Sequence, residues 1–546
     1  MVERNSLLGS IIQESSIHGV RHITDIKRNK ISRILWFFLF IGSMCGLIFS
    51  AYGIYLKWNV EPESGLRVNY KPMTELPFPS VTICPPVFAH DYKANYTRFI
   101  DPDPESRKRK FSSIEQNYLA ANIHRCLPVM GPIVSNCDNR TRFDTVNLMR
   151  HSSICTQDFL RSCILAEKRY NCSAIINRVL TDYGFCYTFN MQDYDEIFNN
   201  VISKDFSSYQ KRVKNQKNQW KMEEGYLTTD EKDVFPIRLS KSNTLSLLFY
   251  LSENDTMNNC QAIGRVFTII LHQPNEIPTV FHEELYIPFG NRKTVILTAK
   301  ILKTAESLRK YLPEKRGCYF EGERQLKFFK SYTKAHCDFE CMANYTFNVC
   351  GCMKFSMPRT DDVPICDVDK INCYSEAMMD WPRNAKYETP CGCLPTCNSI
   401  KYSVHFQKDA VLGEFLQLHP TGGELRSSNG TFSFLYMRTK SHAVDEYETF
   451  VAYRLQNFIA DLGGLLGLFL GCSILSLIEL IFFTITAIWN KKMGKRNDIE
   501  FYAGNVLKQR SNGVKNILVQ PYNSTQITMA FEHLNMEMYA NKHLKN

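Results

Sequence analysis

The stretch LQNFIADLGGLLGLFLGCSILSLIELIFFTITAIW, from Leu455 to Trp489, constrains this chain more than any other. It is long enough to cross a bilayer, whose hydrocarbon core needs about 20 apolar residues of helix. It is also a poor plain anchor. Gly463, Gly464, Gly467 and Gly471 crowd its first half, and Asp461 and Glu479 bracket the densest apolar part. A carboxylate at that depth costs about 2.5–3.5 kcal/mol on insertion scales and ordinarily faces water. Irregular backbone inside a membrane is tolerated only where it lines a wet path or is buried in protein. The glycines running into Gly471-Cys472-Ser473 offer such a break, with carbonyls and a hydroxyl able to replace an ion's water. The competing reading is a packing helix whose glycines permit close helix contact.

A second apolar run, Ile34 to Leu56, carries no charge and is too long for the core of a cleaved signal peptide. Lys27, Arg28, Lys30 and Arg33 precede it, and Lys491, Lys492, Lys495 and Arg496 follow the other run. The positive-inside rule therefore puts both ends in the cytoplasm. The expected division is 1–33 cytoplasmic, 34–56 first transmembrane helix, 57–453 extracellular, 454–489 second transmembrane helix with the pore, and 490–546 cytoplasmic. Cysteine placement agrees. Of 20 cysteines, Cys45 and Cys472 lie in the apolar runs. The rest are Cys84, Cys126, Cys137, Cys155, Cys163, Cys172, Cys186, Cys260, Cys318, Cys337, Cys341, Cys350, Cys352, Cys366, Cys373, Cys391, Cys393 and Cys397, an even set that suits an oxidising compartment and permits nine bridges. Glycosylation sequons at Asn95, Asn139, Asn171, Asn254, Asn344 and Asn429 fall between the two runs as well. The formal charge of +10 alone would admit a nucleic-acid partner, but the spans and cysteines exclude it.

Within the extracellular interval, Pro77 and Pro79 force extended chain, and the alternation of Val81 and Ile83 predicts a short strand ending at Cys84. Gly184 to Asn190 predicts another. Residues 101–175 mix polar helical patterns with cysteines. The basic run Arg107–Lys110 reads as a solvated loop in preference to a protease site. Residues 203–233, rich in lysine, read as a charged helix or loop without a core of its own. From Ser246 to Leu302 the alternation predicts strands, and Gln325–Asn344 has helical spacing that puts Cys337 and Cys341 on one face. Cys350-Gly351-Cys352 and Cys391-Gly392-Cys393 have zinc-like spacing with His336 nearby, yet outside the cell disulfides are the stronger reading. No P-loop, dinucleotide fingerprint or serine-nucleophile elbow appears, so the chain reads as no enzyme.

Taken in order, the blocks resemble the degenerin/epithelial sodium channel family, and most closely its insect pickpocket branch. The residues that carry the resemblance begin with His18-Gly19, Phe78 to Cys84, Gly184 to Asn190 and Arg316-Gly317-Cys318. Cys337, Glu340-Cys341, Cys350-Gly351-Cys352 and Cys391 to Cys397 continue it, and Asp461 to Gly464, Gly471-Cys472-Ser473 and Glu479 close it. The resemblance implies an α+β membrane protein, a trimeric channel with two transmembrane helices and a disulfide-rich extracellular domain made of a β-core and a helical thumb and finger. It further implies sodium as the permeant ion, no cofactor and no resident metal, amiloride binding, and assembly as a homo- or heterotrimer with related subunits in the plasma membrane. Carried over by residue, Gly471, Cys472 and Ser473 match the Gly-x-Ser selectivity filter. Asp461 and Glu479 match acidic pore positions, Gly467 an amiloride contact, and Ala460 the small gate residue. His18-Gly19 matches an intracellular gating motif.

The function expected is a sodium channel subunit opened by a sensory stimulus, with osmotic, water or taste sensing preferred over mechanical, acid, salt or pheromone responses. An ATP-gated trimeric channel would need lysines arranged for phosphate, and none are evident. A two-span receptor without conductance would not need Asp461, Glu479 and a glycine-broken span.

Overall fold

The computed structural model describes residues 18–25, 28–60, 64–86, 112–125, 144–208, 220–227, 234–252, 266–384, 391–407, 410–411 and 430–492. The chain divides into two compact units, Met1–Val60 with Arg454–Asn546, and Glu61–Tyr453. Its main helices are α1 (Val20–Thr24), α2 (Lys30–Tyr55), α3 (Ser113–Ile123), α4 (Thr145–Ser152), α5 (Lys334–Cys350), α6 (Ile371–Asn384), α7 (Leu455–Leu470) and α8 (Ile474–Lys492).

The central unit holds β1 (Ser64–Pro72), β2 (Ser80–Cys84), β3 (Leu160–Leu165), β4 (Lys168–Tyr170), β5 (Ile176–Thr181), β6 (Gly184–Phe189), β7 (Trp220–Lys221) and β8 (Gly225–Tyr226). After them come β9 (Leu245–Ser252), β10 (Val266–His272), β11 (Glu284–Pro288), β12 (Asn291–Thr304), β13 (Ser399–Phe406), β14 (Ala410–Val411), β15 (Gly430–Thr439) and β16 (Ala443–Val451). One sheet runs β1-β16-β12-β15-β9-β3-β4, with β13 and β14 also on β12, and a second runs β11-β10-β2-β6-β5. The expected strands at Val81–Ile83, 184–190 and 246–302 are all present.

Side-chain alternation decides which residues sit between the sheets. Val81, Ile83, Tyr187, Phe189, Phe267 and Ile269 of the second sheet meet Phe249, Leu247, Val295 and Leu297 of the first in one apolar core. The opposite face of the second sheet is covered too: Cys186, Phe185 and Ile270 pack with Phe329, Phe339 and Met342 from α5 and the chain before it. All five residues of β2 and all six of β6 are consequently buried. The layers are sheet, sheet, helices.

Disulfides fix the helical layer. Cys337–Cys393 and Cys341–Cys391 join α5 to the Cys391-Gly392-Cys393 segment. The spacing explains the match: four helical residues rise about 6 Å, and two residues of chain span at most about 7 Å. Cys350–Cys373 ties α5 to α6, Cys352–Cys366 closes the intervening loop, and Cys318–Cys397 closes the base. Cys84–Cys186 bridges β2 to β6, and Cys163–Cys172 staples β3 to the turn before β5. Both Cys-x-Cys units are thus spent on bridges, which removes the zinc alternative for them.

Three expectations need correction. Cys155, counted among bridging candidates, is a free and exposed thiol. The helix expected over Gln325–Asn344 begins nine residues later and runs to Cys350. Phe328 and Phe329 are buried, and Asn199 N–H donates to Phe328 O while Lys330 N–H donates to Ile197 O, so that segment is held by an isolated bridge between Phe198 and Phe329 and does not wind into helix. Thr333 then starts α5 by accepting from His336 N–H at 3.1 Å. Finally, part of the lysine-rich interval, expected as a helix or loop, forms a strand pair where described. Trp220, only 2 % exposed, anchors a hairpin of β7 and β8 in the main core. Asn171 and Asn344 are both exposed. The other sequons Asn95, Asn139, Asn254 and Asn429, the cysteines Cys126, Cys137 and Cys260, and the Arg107–Lys110 run lie outside the described residues.

Candidate functional site

Helix α2 has 26 residues, about 39 Å at 1.5 Å per residue, ample for a hydrocarbon core of about 30 Å. Among the described residues it belongs to the one helix, Lys30–Asn59, that is by itself long and apolar enough to span. The second apolar run is interrupted at its glycine-rich stretch, where the sequence offered a break. It forms α7 and α8, separated by Gly471-Cys472-Ser473. Unbroken, its 38 residues would extend about 57 Å.

Local chemistry accounts for the break. Gly471 takes the left-handed conformation (φ 62°), which side chains disfavour and helix ends require. Gly471 N–H donates to Gly467 O at 2.9 Å, the 5→1 bond of a helix ended by a left-handed residue, and Cys472 N–H donates back to Leu466 O at 3.2 Å. Ser473 restarts the helix: its Oγ accepts from Ser476 N–H at 3.2 Å, and Ser476 Oγ accepts from Ser473 N–H at 3.2 Å. This is a capping box with serine as the reciprocal partner. The Gly-x-Ser triplet is a helix stop followed by a helix start.

The two faces of α7 differ. Leu465, Leu466, Phe469 and Leu470 pack with Phe40, Met44 and Leu47 of α2, joined by the buried Cys472 side chain. Gly46 makes room for the Phe469 ring, since a Cβ there would come within 2.7 Å of it. Ser43 Oγ donates to Phe469 O. Trp58 stacks on Phe458 at 4.6 Å, tying the far ends of α2 and α7. Ala460, Gly464 and Gly467 recur at helical spacing on the opposite face, and a Cβ on Gly463, Gly464 or Gly467 would meet nothing within 4 Å. Within the chain, then, Gly46 serves close packing and the α7 glycines do not. Ala460, Asp461, Gly467, Ser473 and Glu479 are all exposed on the single chain.

Spacing in sequence gave no hint that the amino-terminal turn reaches this break. Gly19 (φ 88°) precedes α1, which lies along the start of α2 with His22 against Trp36 at 4.6 Å and Arg33 Nε donating to Ile23 O at 2.8 Å. His18 N–H donates to Leu470 O at 3.0 Å, the last carbonyl of α7. Its ring covers Gly471 so closely that a Cβ there would overlap it. His18 and the Gly471–Ser473 break, two separate expectations, form one site. Ser43, Gly46 and Ser476 belong to it and were not anticipated. Ser476, three residues after Ser473, was the readable signal.

An interrupted second span gripped by an amino-terminal turn, with a disulfide-bridged, two-sheet unit in the chain between the spans, defines a two-span channel subunit. The family model for the amiloride-sensitive sodium channel matches residues 11–483, and the chain belongs to that family. It is similar to Pickpocket protein 28 of Drosophila melanogaster, 22 % identical over 87 % of this chain and 77 % of that one. Sodium channel protein Nach of the same species is 22 % identical, over 86 % and 85 %. Acid-sensing ion channel 4-B of Danio rerio is 23 % identical, over 94 % and 82 %. Family members are two-span ion channels of the plasma membrane, not enzymes, and they work without a cofactor.

Proposed function

We propose that this chain is one subunit of a sodium-selective trimeric channel, homomeric or built with related subunits, with both termini cytoplasmic. Sodium enters past Asp461, sheds part of its water at Gly471, Cys472 and Ser473, and leaves past Glu479. Rings of carboxylates concentrate cations, while close oxygen ligands choose among them. Ala460 is the constriction that opens, Gly467 the amiloride contact, and His18-Gly19 the turn that sets the filter's resting shape. The stimulus acts on the extracellular unit, with osmotic or taste sensing the preferred modality. The observation that carries this reading is the helix break itself, capped by Gly471 and Ser473 on a helix whose glycine face is exposed while its leucine face is packed.

Whole-cell recording with and without amiloride tests conduction. Ser473→Ala tests the filter: losing a serine cap costs about 1 kcal/mol, and the sodium-to-potassium permeability ratio is expected to fall. An unchanged ratio, together with an unchanged ratio after substitution of Gly471, would place selectivity elsewhere.

A further inference from the structure

A cavity of about 220 Å³ lies within the unit Glu61–Tyr453 and shares no residue with the helix break. Its walls come from stretches far apart in sequence: the chain after β6, the β7–β8 hairpin, the loop between β10 and β11, and the chains leading into α5 and into β13. At about 30 Å³ each, roughly seven waters would fill it, so it suits a small molecule and not a peptide. The walls are held before anything binds. Asn398 Nδ2 and Glu321 N–H both donate to Glu223 Oε1 at 3.1 Å, which ties the hairpin to the chains before α5 and β13. Cys397 N–H donates to Tyr319 O at 2.8 Å beside the Cys318–Cys397 bridge.

The lining states what it lacks. Trp220 and Phe320, both buried, supply apolar wall. Asn275 supplies an unmet acceptor: the residue is 8 % exposed, its Oδ1 is buried, and no described residue donates to it. A buried acceptor without a donor is costly, so an occupant that brings an N–H is favoured. The charges point the same way. Lys221 is held by Glu224 at 2.9 Å, and Glu196 Oε2 is engaged by Asp193 N–H at 2.9 Å. The guanidiniums beside Phe320, those of Arg309 and Arg316, are matched by Glu306 and Glu323. Glu223 shares Arg309 at 3.7 Å, and Glu321 has no ion-pair partner among the described residues. Burial, and then the Glu223 carboxylate, raise the Glu321 carboxyl above its usual value, with Lys221 offsetting them only in part.

We propose that this cavity binds a small organic cation, a primary ammonium on a short apolar body, whose N–H groups donate to Asn275 Oδ1 and whose charge balances Glu321 and Glu223. The apolar body rests on the Trp220 and Phe320 walls. Each alternative leaves one demand unmet. A neutral donor satisfies Asn275 but leaves Glu321 facing Glu223 without a countercharge. An anion adds to the repulsion and brings no donor. A bare metal ion lacks its ligands, since no group of three or more His, Cys, Asp or Glu residues able to hold one occurs among the described residues. An ammonium meets both demands at once, and charge-assisted hydrogen bonds of that kind are stronger than neutral ones. A few convergent polar groups in an otherwise apolar, preformed hollow are also what small-molecule sites have in common.

The placement of this cavity outside the cell rests on the channel reading, but the test does not need conduction. Ligand-observed NMR titration of the purified full chain in lipid nanodiscs, with empty nanodiscs as the blank, uses ethylammonium, n-butylammonium and 2-phenylethylammonium at neutral pH. The neutral counterpart of the last, 2-phenylethanol, is the control. At least one ammonium is expected to bind, with the alcohol about tenfold weaker or more. Asn275→Leu, close in volume but without the amide oxygen, is expected to weaken the ammonium about tenfold or more. Glu321→Gln, at the exposed rim, is expected to weaken it roughly twofold to fivefold. Binding by none of the three ammoniums, equal binding of the alcohol, or an affinity that neither substitution moves overturns the proposal. The wild-type comparison of ammonium with alcohol decides on its own if a variant misfolds. A chain that binds the ammonium but passes no current would refute the channel reading and leave this site standing.

Discussion

The contact between His18 and Gly471 can be measured as an energy. Gly471→Ala places an L side chain at φ 62°, which costs about 1–2 kcal/mol. The new Cβ also overlaps the His18 ring, so the turn must move and give up its 3.0 Å bond to Leu470 O, a further 0.5–1.5 kcal/mol or so. The sum, about 1.5–3.5 kcal/mol, is roughly a 10- to 300-fold loss of the docked arrangement. His18→Ala removes the ring but keeps the backbone donor. In that background Gly471→Ala should cost only the strain, leaving a coupling of about 0.5–1.5 kcal/mol between the positions. Single-channel open and closed times from the wild type, both single variants and the double variant give that coupling directly. Additivity within about 0.3 kcal/mol would mean that the ring does not rest on Gly471, and the single site described here would fall apart into two.

Enlarging Ala460 to Val, on the exposed glycine face of α7, is expected to give sodium current without a stimulus, read as amiloride-sensitive holding current in resting cells. A silent variant present at normal surface density would count against Ala460 as the gate. Cys155, free and exposed, is expected to react with a membrane-impermeant maleimide on intact cells without prior reduction, and Cys155→Ser should abolish that increment. Labelling that requires a reductant would show Cys155 to be bridged.

The parts of this molecule that are readable in sequence are those governed by short-range rules. Val81 and Ile83 alternate, and β2 forms where they do. Gly471 and Ser473 are stop and start residues two apart, and the helix breaks between them. The misreadings have a common physical origin, in that distant partners outweigh local preference. Residues 325–333 have helical spacing, but Phe328 and Phe329 are claimed by Ile197 and Asn199 across the core. Trp220 sits in a lysine-rich stretch that reads as a charged helix or loop, yet its indole is buried in the core and the chain there pairs as β7 and β8. Ser43 meets the Phe469 carbonyl from 426 residues away, beyond any spacing rule. His336 suggested a zinc ligand by its nearness to cysteines, whereas its partners are Ile277 and Ser331, backbone groups that no side-chain motif advertises.

The same distinction explains which parts of the Gly471-Cys472-Ser473 triplet are chemically demanding. Position 471 is fixed by backbone handedness and by the imidazole resting on it, and position 473 by its need to accept from Ser476 N–H. Neither demand concerns the ion. Cys472, by contrast, is 6 % exposed and turned toward Leu47 and Leu470, so its side chain is under a packing limit alone. Alanine there loses a sulfur's worth of contact and leaves both caps intact, whereas a branched or aromatic residue must displace α2. Backbone geometry at this helix break is thus specified by its outer two residues and by a histidine from the other end of the chain. Substitution at the middle residue is expected to be limited by the space its side chain fills beside Leu47 and Leu470.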